Sequence, residues 1–325
     1  MPNPLVSVVI PVFNAEKTIA SVIQSLLGQT FNPIEIIVVD DGSLDTSASI
    51  VQSFSDVRYM YQANAGPATA RNYGARESKG EVVFFTDSDC IPKRDWIETA
   101  MKTFANPSVM VVAGSYGIAN PNNRLARCIQ NEIAFRHACL MPSEVKALGS
   151  YNFAIRRKVF DTVGGFNEAY RYASGEDNDL SYKIIKSGHA IHFNKAVLVD
   201  HYHTQKIVKY LKEQFRHGVW RVKMYKDHPR MMAGDNYTFW KDALEVPAAY
   251  LIAGLLFLFV VAPDFFGFFL MPAVILLWVL EFVFSLKINK NFTDALFFSF
   301  VMFLRAFARS FGFIHGFFKF IIKII

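Results

Sequence analysis

Between residues 5 and 114 the chain alternates short apolar runs with amphipathic stretches. The runs at 5–10, 34–40, 57–61, 81–86 and 109–114 read as strands. The stretches between them, near 15–28, 45–54, 67–78 and 94–105, read as helices. Such alternation predicts a mostly parallel sheet with helices on both faces. In these sheets ligands collect beyond the carboxyl ends of strands, above all where strand order reverses. Two predicted strands end there in acids: "VVDDGS" at Asp40 and Asp41, and "FFTDSDC" at Asp87 and Asp89.

Residues 116–200 are less regular. A helix is expected near 123–140, a strand over "GSYNFAIRR" and a turn at "GGFNEAY". "GEDNDLSYKIIKSG" reads as a helix with acids in its first turn, closed by Gly188.

Beyond 242 the pattern changes again. "VPAAYLIAGLLFLFVVA" (246–262) has no charge, and "FFGFFLMPAVILLWVLEFVFSL" (265–286) has only Glu281. Each approaches the ~20 residues needed to cross a bilayer. With Pro263 and Asp264 as a short turn, 243–286 reads as a transmembrane helical hairpin; a pair of buried core helices is the alternative. From 292 to 325 a third membrane helix or an amphipathic one is expected. Arg305, Arg309, Gly312, Gly316, Lys319 and Lys323 recur at steps of three or four, a basic stripe suited to the membrane interface.

Composition and charge sharpen this picture. Of 325 residues, 52% are hydrophobic, enough for one or two domains with full cores. The opening residues run straight into "LVSVVIPVF", which reads as a buried strand rather than a leader. Cys90, Cys128 and Cys139 lack metal-ligand spacing and read as free thiols in a reducing compartment. Residues 201–241 hold nine basic against three acidic side chains, an excess equal to the chain's net charge of +6. Beside two apolar spans, this segment points to a membrane surface rather than to nucleic acid. Lysines follow the second span and none lies in the turn between the spans, so the N-terminal domain and the C-terminus are expected on the cytoplasmic side of the cell membrane.

The acids carry the candidate chemistry. Carboxylates at a strand tip, one residue apart, suit a hard divalent cation that also holds substrate phosphates; capping of the following helix is the alternative. Asp41 could accept from the imide N–H of a pyrimidine base, or serve a turn. Arg71, early on its helix in "NAGPATARNYGAR", could meet phosphate oxygens or face solvent. Glu176, Asp177 and Asp179 in "GEDNDL" offer a general base, or complement a helix N-terminus. His201 and His203 in "DHYH" are each candidates for a third metal ligand.

"SVVIPVFNAEKTIASVIQSLLGQTF", "VVDDGSLDTS", "NAGPATARNYGAR", "FFTDSDC", "GSYNFAIRRKVFDTVGGFNEAY" and "GEDNDLSYKI" occur in this order. Together they resemble family 2 glycosyltransferases of the GT-A fold, over about residues 5–225. The resemblance implies an α/β GT-A catalytic domain at 1–225, a basic juxtamembrane linker at 226–242, and the membrane helices after it. It implies an inverting hexosyltransferase-type enzyme using a nucleotide-diphosphate sugar, UDP by default, with Mn²⁺ or Mg²⁺. By motif position, Asp41 would read the base beside the backbone of Pro11 and Phe13, and Arg71 would stand near the nucleotide. Asp87 and Asp89 match the metal-binding D-x-D, Asp177 the catalytic base, Glu176 its neighbour, and His201 a further metal ligand of some members. "EQFRHGVW" departs from the Q-x-x-R-W of processive members, with Gln214 and Arg216 wrongly spaced and His217 where the arginine belongs. One sugar or few, rather than a polymer, is therefore expected, passed to a lipid-linked or other membrane-associated glycan. Two rivals stay open: a polyprenyl-phosphate glycosyl synthase, and a membrane-anchored cation- or nucleotide-binding protein without catalysis.

Overall fold

A computed structural model describes residues 5–172, 174–233 and 240–323. The chain forms two compact units. One comprises Met1–Ala119 and Met141–Tyr202, the other Asn120–Leu140 and His203–Ile325.

The first unit is built on one mixed sheet of strands β1 (Val6–Val12), β2 (Ile34–Asp40), β3 (Val57–Tyr61), β4 (Val82–Thr86), β5 (Cys90–Pro92), β6 (Val111–Ile118), β7 (Glu144–Val145), β8 (Asn152–Arg156) and β9 (Ile191–His201). The order is β3-β2-β1-β4-β8-β6-β9-β5, with β7 paired to β9. From β3 to β4 the sheet is parallel, as the strand–helix alternation predicts. β8 then enters antiparallel between β4 and β6. The chain reverses its direction of travel across the sheet at β1, with β2 on one side and β4 on the other, so the acids after β2 and β4 flank a topological switch point.

Alternation along the strands sorts the core into two faces. Val6, Val8, Ile10 and Phe84 pack with Ile19, Val22 and Leu26 of α1 (Ile19–Leu27) and Trp96 and Phe104 of α4 (Trp96–Phe104). Short α2 (Ser47–Gln52) adds Val51 to that face. Val9, Val83 and Phe85 face the other way, against Ala68 and Ala75 of α3 (Pro67–Glu77), Phe160 of α6 (Arg157–Thr162) and Ile184 of α7 (Glu176–Lys186). α3 lies close to the sheet because Gly74 has no side chain: a methyl there would overlap Val9. That approach buries Arg71, one turn earlier, to 2% exposure at the strand-end rim.

The second unit is helical: α5 (Arg124–Cys139), α8 (Ile207–Asp227), a 3₁₀ turn at Pro229–Ala233, α9 (Trp240–Val261), α10 (Pro263–Ile288) and α11 (Phe292–Phe317), with a terminal π turn at Phe318–Ile322. Part of the expected linker, residues 234–239, lies outside the described residues. Three helices, Trp240–Val261, Pro263–Ile288 and Phe292–Ile322, are long and apolar enough to cross a membrane. Phe257, Val260, Phe268 and Leu276 are largely exposed, an apolar surface suited to lipid. The expected turn is shorter still: Pro263 already opens α10, and Ala262 alone separates the helices.

Two expectations about basic residues are corrected here. The first part of the α11 stripe turns inward rather than to a membrane surface: Arg305, Gly312 and Gly316 are buried. Gly312 and Gly316 let α11 touch the backbone of α8 at Phe215, Gly218 and Val219. Lys241 is fully buried too, ion-paired to Glu245 and Glu281 rather than to lipid. The reason is electrostatic. Arg305 donates to Glu132 at 2.7 Å and Glu245 at 2.9 Å, Arg136 pairs Glu132 and Asp242, and Arg309 pairs Glu245. Four cations thus meet four carboxylates, and a charge among apolar helices is tolerated only with such partners.

Candidate active site

The rim of the first unit gathers acids from two separate segments around a cation from a third. Asp87 and Asp89 follow β4, and Glu176 and Asp177 open α7. Arg71 stands among them with Nη2 2.6 Å from Asp87 Oδ1, Nη1 3.1 Å from Glu176 Oε1, and Nη1 4.0 Å from Asp177 Oδ1. The cation that relieves the crowded acids is therefore partly built in. Arg71, read from sequence as a phosphate contact, has carboxylates as its partners here. Its Nε and Asp177 Oδ1 have no hydrogen-bond partner among the described residues.

The α7 terminus explains where Glu176 and Asp177 point. Gly175 caps the helix in the left-handed region, at φ 108°, and the acids follow in the first turn, where the helix dipole favours negative charge. Ser174 N–H donates to Glu176 Oε2 at 2.7 Å. Burial and the neighbouring Asp177 nevertheless push the Glu176 carboxyl up to about 8, against the pull of Arg71. Asp177 is also raised, by burial. Asp179, on the same turn, is buried and turns to Lys183 at 3.8 Å instead.

Asp89 faces outward from the same strand end. β5 pairs antiparallel with the end of β9, setting Cys90 opposite His201, and Tyr202 N–H donates to the Asp89 carbonyl at 2.9 Å. This ladder brings His201 Nε2 to 3.4 Å from Asp89 Oδ2. Burial would raise Asp89, but His201 outweighs it and holds the carboxyl below its ordinary value. A carboxylate oxygen and an imidazole nitrogen at this spacing can share one Mn²⁺ or Mg²⁺. Cys90 lies within the same cluster. Burial and the Asp89 charge raise its thiol well above the ordinary value, which keeps it protonated and a poor ligand for a hard cation. His203, the other candidate, contacts Gln130 at 2.8 Å. All three cysteines are free.

The expected base-reading residues lie on the β1 and β2 tips. Asp41 is buried to 3% and accepts from Gln62 at 2.7 Å, Ala65 N–H at 2.8 Å and Gly66 N–H at 2.9 Å. It thus pins the 62–66 turn, leaving the spare lone pair of Oδ2 for any incoming donor. Asp40 is occupied by Ser43 N–H and the Tyr59 hydroxyl. Pro11 lies beside Val39 in the β1–β2 register, and Phe13 is half exposed just beyond β1.

Residues 7–164 match the family profile described as glycosyl transferase family 2. The chain carries a glycosyl transferase family 2 domain. The pre-mycofactocin glycosyltransferase of Mycobacterium tuberculosis is 30% identical over 233 residues, 69% of this chain and 48% of that protein. Glycosyltransferase AglE of Haloferax volcanii is 27% identical over 229 residues, 68% of this chain and 74% of that protein. The chain therefore spans about half the length of the mycobacterial relative. Among solved structures, the mannosyltransferase PcManGT from Pyrobaculum calidifontis, in complex with GDP-Man and Mn²⁺, superposes with TM-score 0.57 at 19% identity, covering 94% of this chain and 86% of that one. The likeness establishes the GT-A fold; the apolar helices follow it in the chain.

Two groups of side chains escaped the sequence reading. Tyr116 and Tyr151 stack with centroids 3.5 Å apart, and Tyr116 lies 5.1 Å from the His201 ring. No acid marks "AGSYGI", so the strand carried no visible chemistry. The buried ion network drew on Glu132 and Arg136 of α5, whose only signal was an i,i+4 pair.

Proposed function

We propose that this protein transfers a sugar, with inversion, from a nucleotide-diphosphate sugar to a hydroxyl of a membrane-associated, lipid-linked glycan. UDP is the default nucleotide. The observation that carries this reading is the gathering of Asp87, Glu176 and Asp177 around Arg71, with the Asp89–His201 pair at the end of the same strand that carries Asp87.

Asp89 and His201 would hold the divalent cation, with the free oxygen of Asp87 beside them. A bound cation supplies Lewis-acid neutralisation of the charge that develops on the departing diphosphate. Asp41, Pro11 and Phe13 would receive the base. Asp177 has an unpartnered buried oxygen and a raised pKa. It takes the proton of the acceptor hydroxyl as that oxygen attacks the anomeric carbon opposite the leaving group, and opposite-face attack inverts the centre. Such a base contributes ~10²–10⁴-fold. Arg71 opposes the rise of the Glu176 and Asp177 pKa values and holds Asp87 and Glu176 in place between turnovers.

The three apolar helices support a cell-membrane location for the acceptor. Lys287 and Lys290 after α10, against no basic residue at the α9–α10 junction, favour a cytoplasmic catalytic unit. A donor screen on membranes, scored by nucleoside diphosphate release with and without EDTA, tests the reading. Release that needs Mn²⁺ or Mg²⁺ and a lipid fraction supports it; release only onto soluble acceptors with lipid supplied rejects the lipid-linked substrate. In the second reading, a polyprenyl-phosphate synthase, the acceptor oxygen is already anionic and Asp177 becomes dispensable.

A further inference from the structure

We propose that Tyr116 is a positioning residue of the transfer site, holding the His201 imidazole at Asp89 and tying it to the loop that carries Tyr151. The inference rests on the reading of Asp89 and His201 as cation ligands.

The chain builds this arrangement in steps. The β6–β9 ladder breaks register between Ala113 and Ser115: Ala113 pairs Phe193, but Ser115 pairs Leu198, so β9 carries extra residues. Bulges of this kind re-aim the side chains that follow them. Asn152 clamps the bulge. Its Nδ2 donates to the carbonyls of Ser115 and Val197, each at 2.9 Å, and its Oδ1 accepts from Trp96 Nε1 at 2.8 Å. This amide is 1% exposed with three hydrogen bonds, so the bulge has little freedom. At Gly114 a methyl would overlap both Val197 O and Asn152, so the clamp closes only over glycine.

Beyond the bulge the ladder resumes, with Tyr116 paired to Val199 and Ile118 to His201. The Tyr116 ring lies nearly flat on Tyr151, 12° between planes, and also meets the tilted His201 ring. Tyr151 is itself held, its carbonyl accepting from Thr86 at 2.9 Å. A side chain added at Gly149 would meet both the Tyr151 ring and Asp177 Oδ2, so both lie near Gly149. Tyr116 therefore stands in one line of contacts that runs from Asp89 through His201 to Tyr151. Loss of a group that orients a metal-ligating histidine typically costs about 10–100-fold in metal affinity or activity.

The test is binding of Mn²⁺ alone to the full chain in detergent, read by loss of the free-Mn²⁺ EPR signal. Tyr116→Leu, which fills space without an aromatic face, should weaken binding about tenfold, while Tyr116→Phe stays within about twofold of the unaltered chain. Thermal melting identifies any variant that fails to fold, and Tyr116→Met then replaces it. Unchanged Mn²⁺ affinity in the folded Leu or Met variant overturns the proposal, as does a loss in Tyr116→Phe equal to theirs. His201→Ala separates the two claims. If it weakens binding while Tyr116→Leu does not, only the positioning role falls. If it binds normally, or the unaltered chain binds no Mn²⁺, the ligand reading falls and takes the proposal with it.

Discussion

Arg71 Nη2 lies 2.6 Å from Asp87 Oδ1, joining the third helix of the sheet domain to the end of its fourth strand. The same guanidinium reaches Glu176, which arrives from more than a hundred residues further along the chain. Arg71→Met leaves these acids without their cation in a site where burial already opposes charge. The expected loss is about 3–5 kcal/mol, as for a broken buried ion pair. Thermal unfolding of the full chain in detergent measures it. Arg71→Lys should recover only part, because one ammonium cannot fork between two carboxylates.

The raised carboxyls give the pH dependence a sign. Asp177 must be ionised to accept a proton, and burial raises its pKa, so kcat/KM with a hydroxyl acceptor should climb as pH rises through that value. Arg71 pulls both Asp177 and Glu176 down. Arg71→Gln should therefore move the acid limb upward, by about 1–3 pH units. A profile that stays put would remove Arg71 from the electrostatics of the base.

Stability should move oppositely over the same range. Glu176 ionises near 4.5 when exposed and near 8 when folded. The folded state then binds the extra proton, so this group's contribution is complete below about pH 4.5 and is lost as pH rises through about 8. Glu176→Gln should flatten that part of the melting temperature against pH.

The apolar helices are held by charge and by close backbone contact, and both can be tested. Arg305 donates to Glu132 and Glu245, so Arg305→Met should destabilise the folded chain by about 3–5 kcal/mol. Lys209→Met, on the exposed face of α8, should change it by no more than about 0.5 kcal/mol. A methyl at Gly312 would overlap the Phe215 carbonyl, so Gly312→Ala should lose about 1–3 kcal/mol by forcing α8 and α11 apart. Melting in a fixed detergent compares all three.

Much of the fold was legible because its elements announce themselves locally. The β1, β2 and β4 runs are dominated by Val, Ile and Phe, and α7 begins at a glycine followed by acids. Asp87, Asp89 and Asp177 stood out as candidates because acids at strand and helix ends are conspicuous. What stayed hidden depended on contacts distant in sequence. The reversal of β8 follows from its place between β4 and β6, which no local pattern encodes. Arg71 read as a phosphate contact because its carboxylate partners lie 16 and 105 residues away. The α11 stripe read as a membrane-surface feature because the pattern gives a helix face but not its neighbour. Periodicity cannot tell an arginine that meets lipid from one that meets Glu245.

The most direct measurement of the account compares Asp177→Asn with the unaltered enzyme in two assays, donor binding in Mn²⁺ and sugar transfer to a membrane acceptor. Loss of transfer by ~10²–10⁴-fold with donor binding kept is the predicted result, since the base acts only on the acceptor. Near-normal transfer by the variant would contradict it and assign the acceptor role to a phosphate oxygen instead.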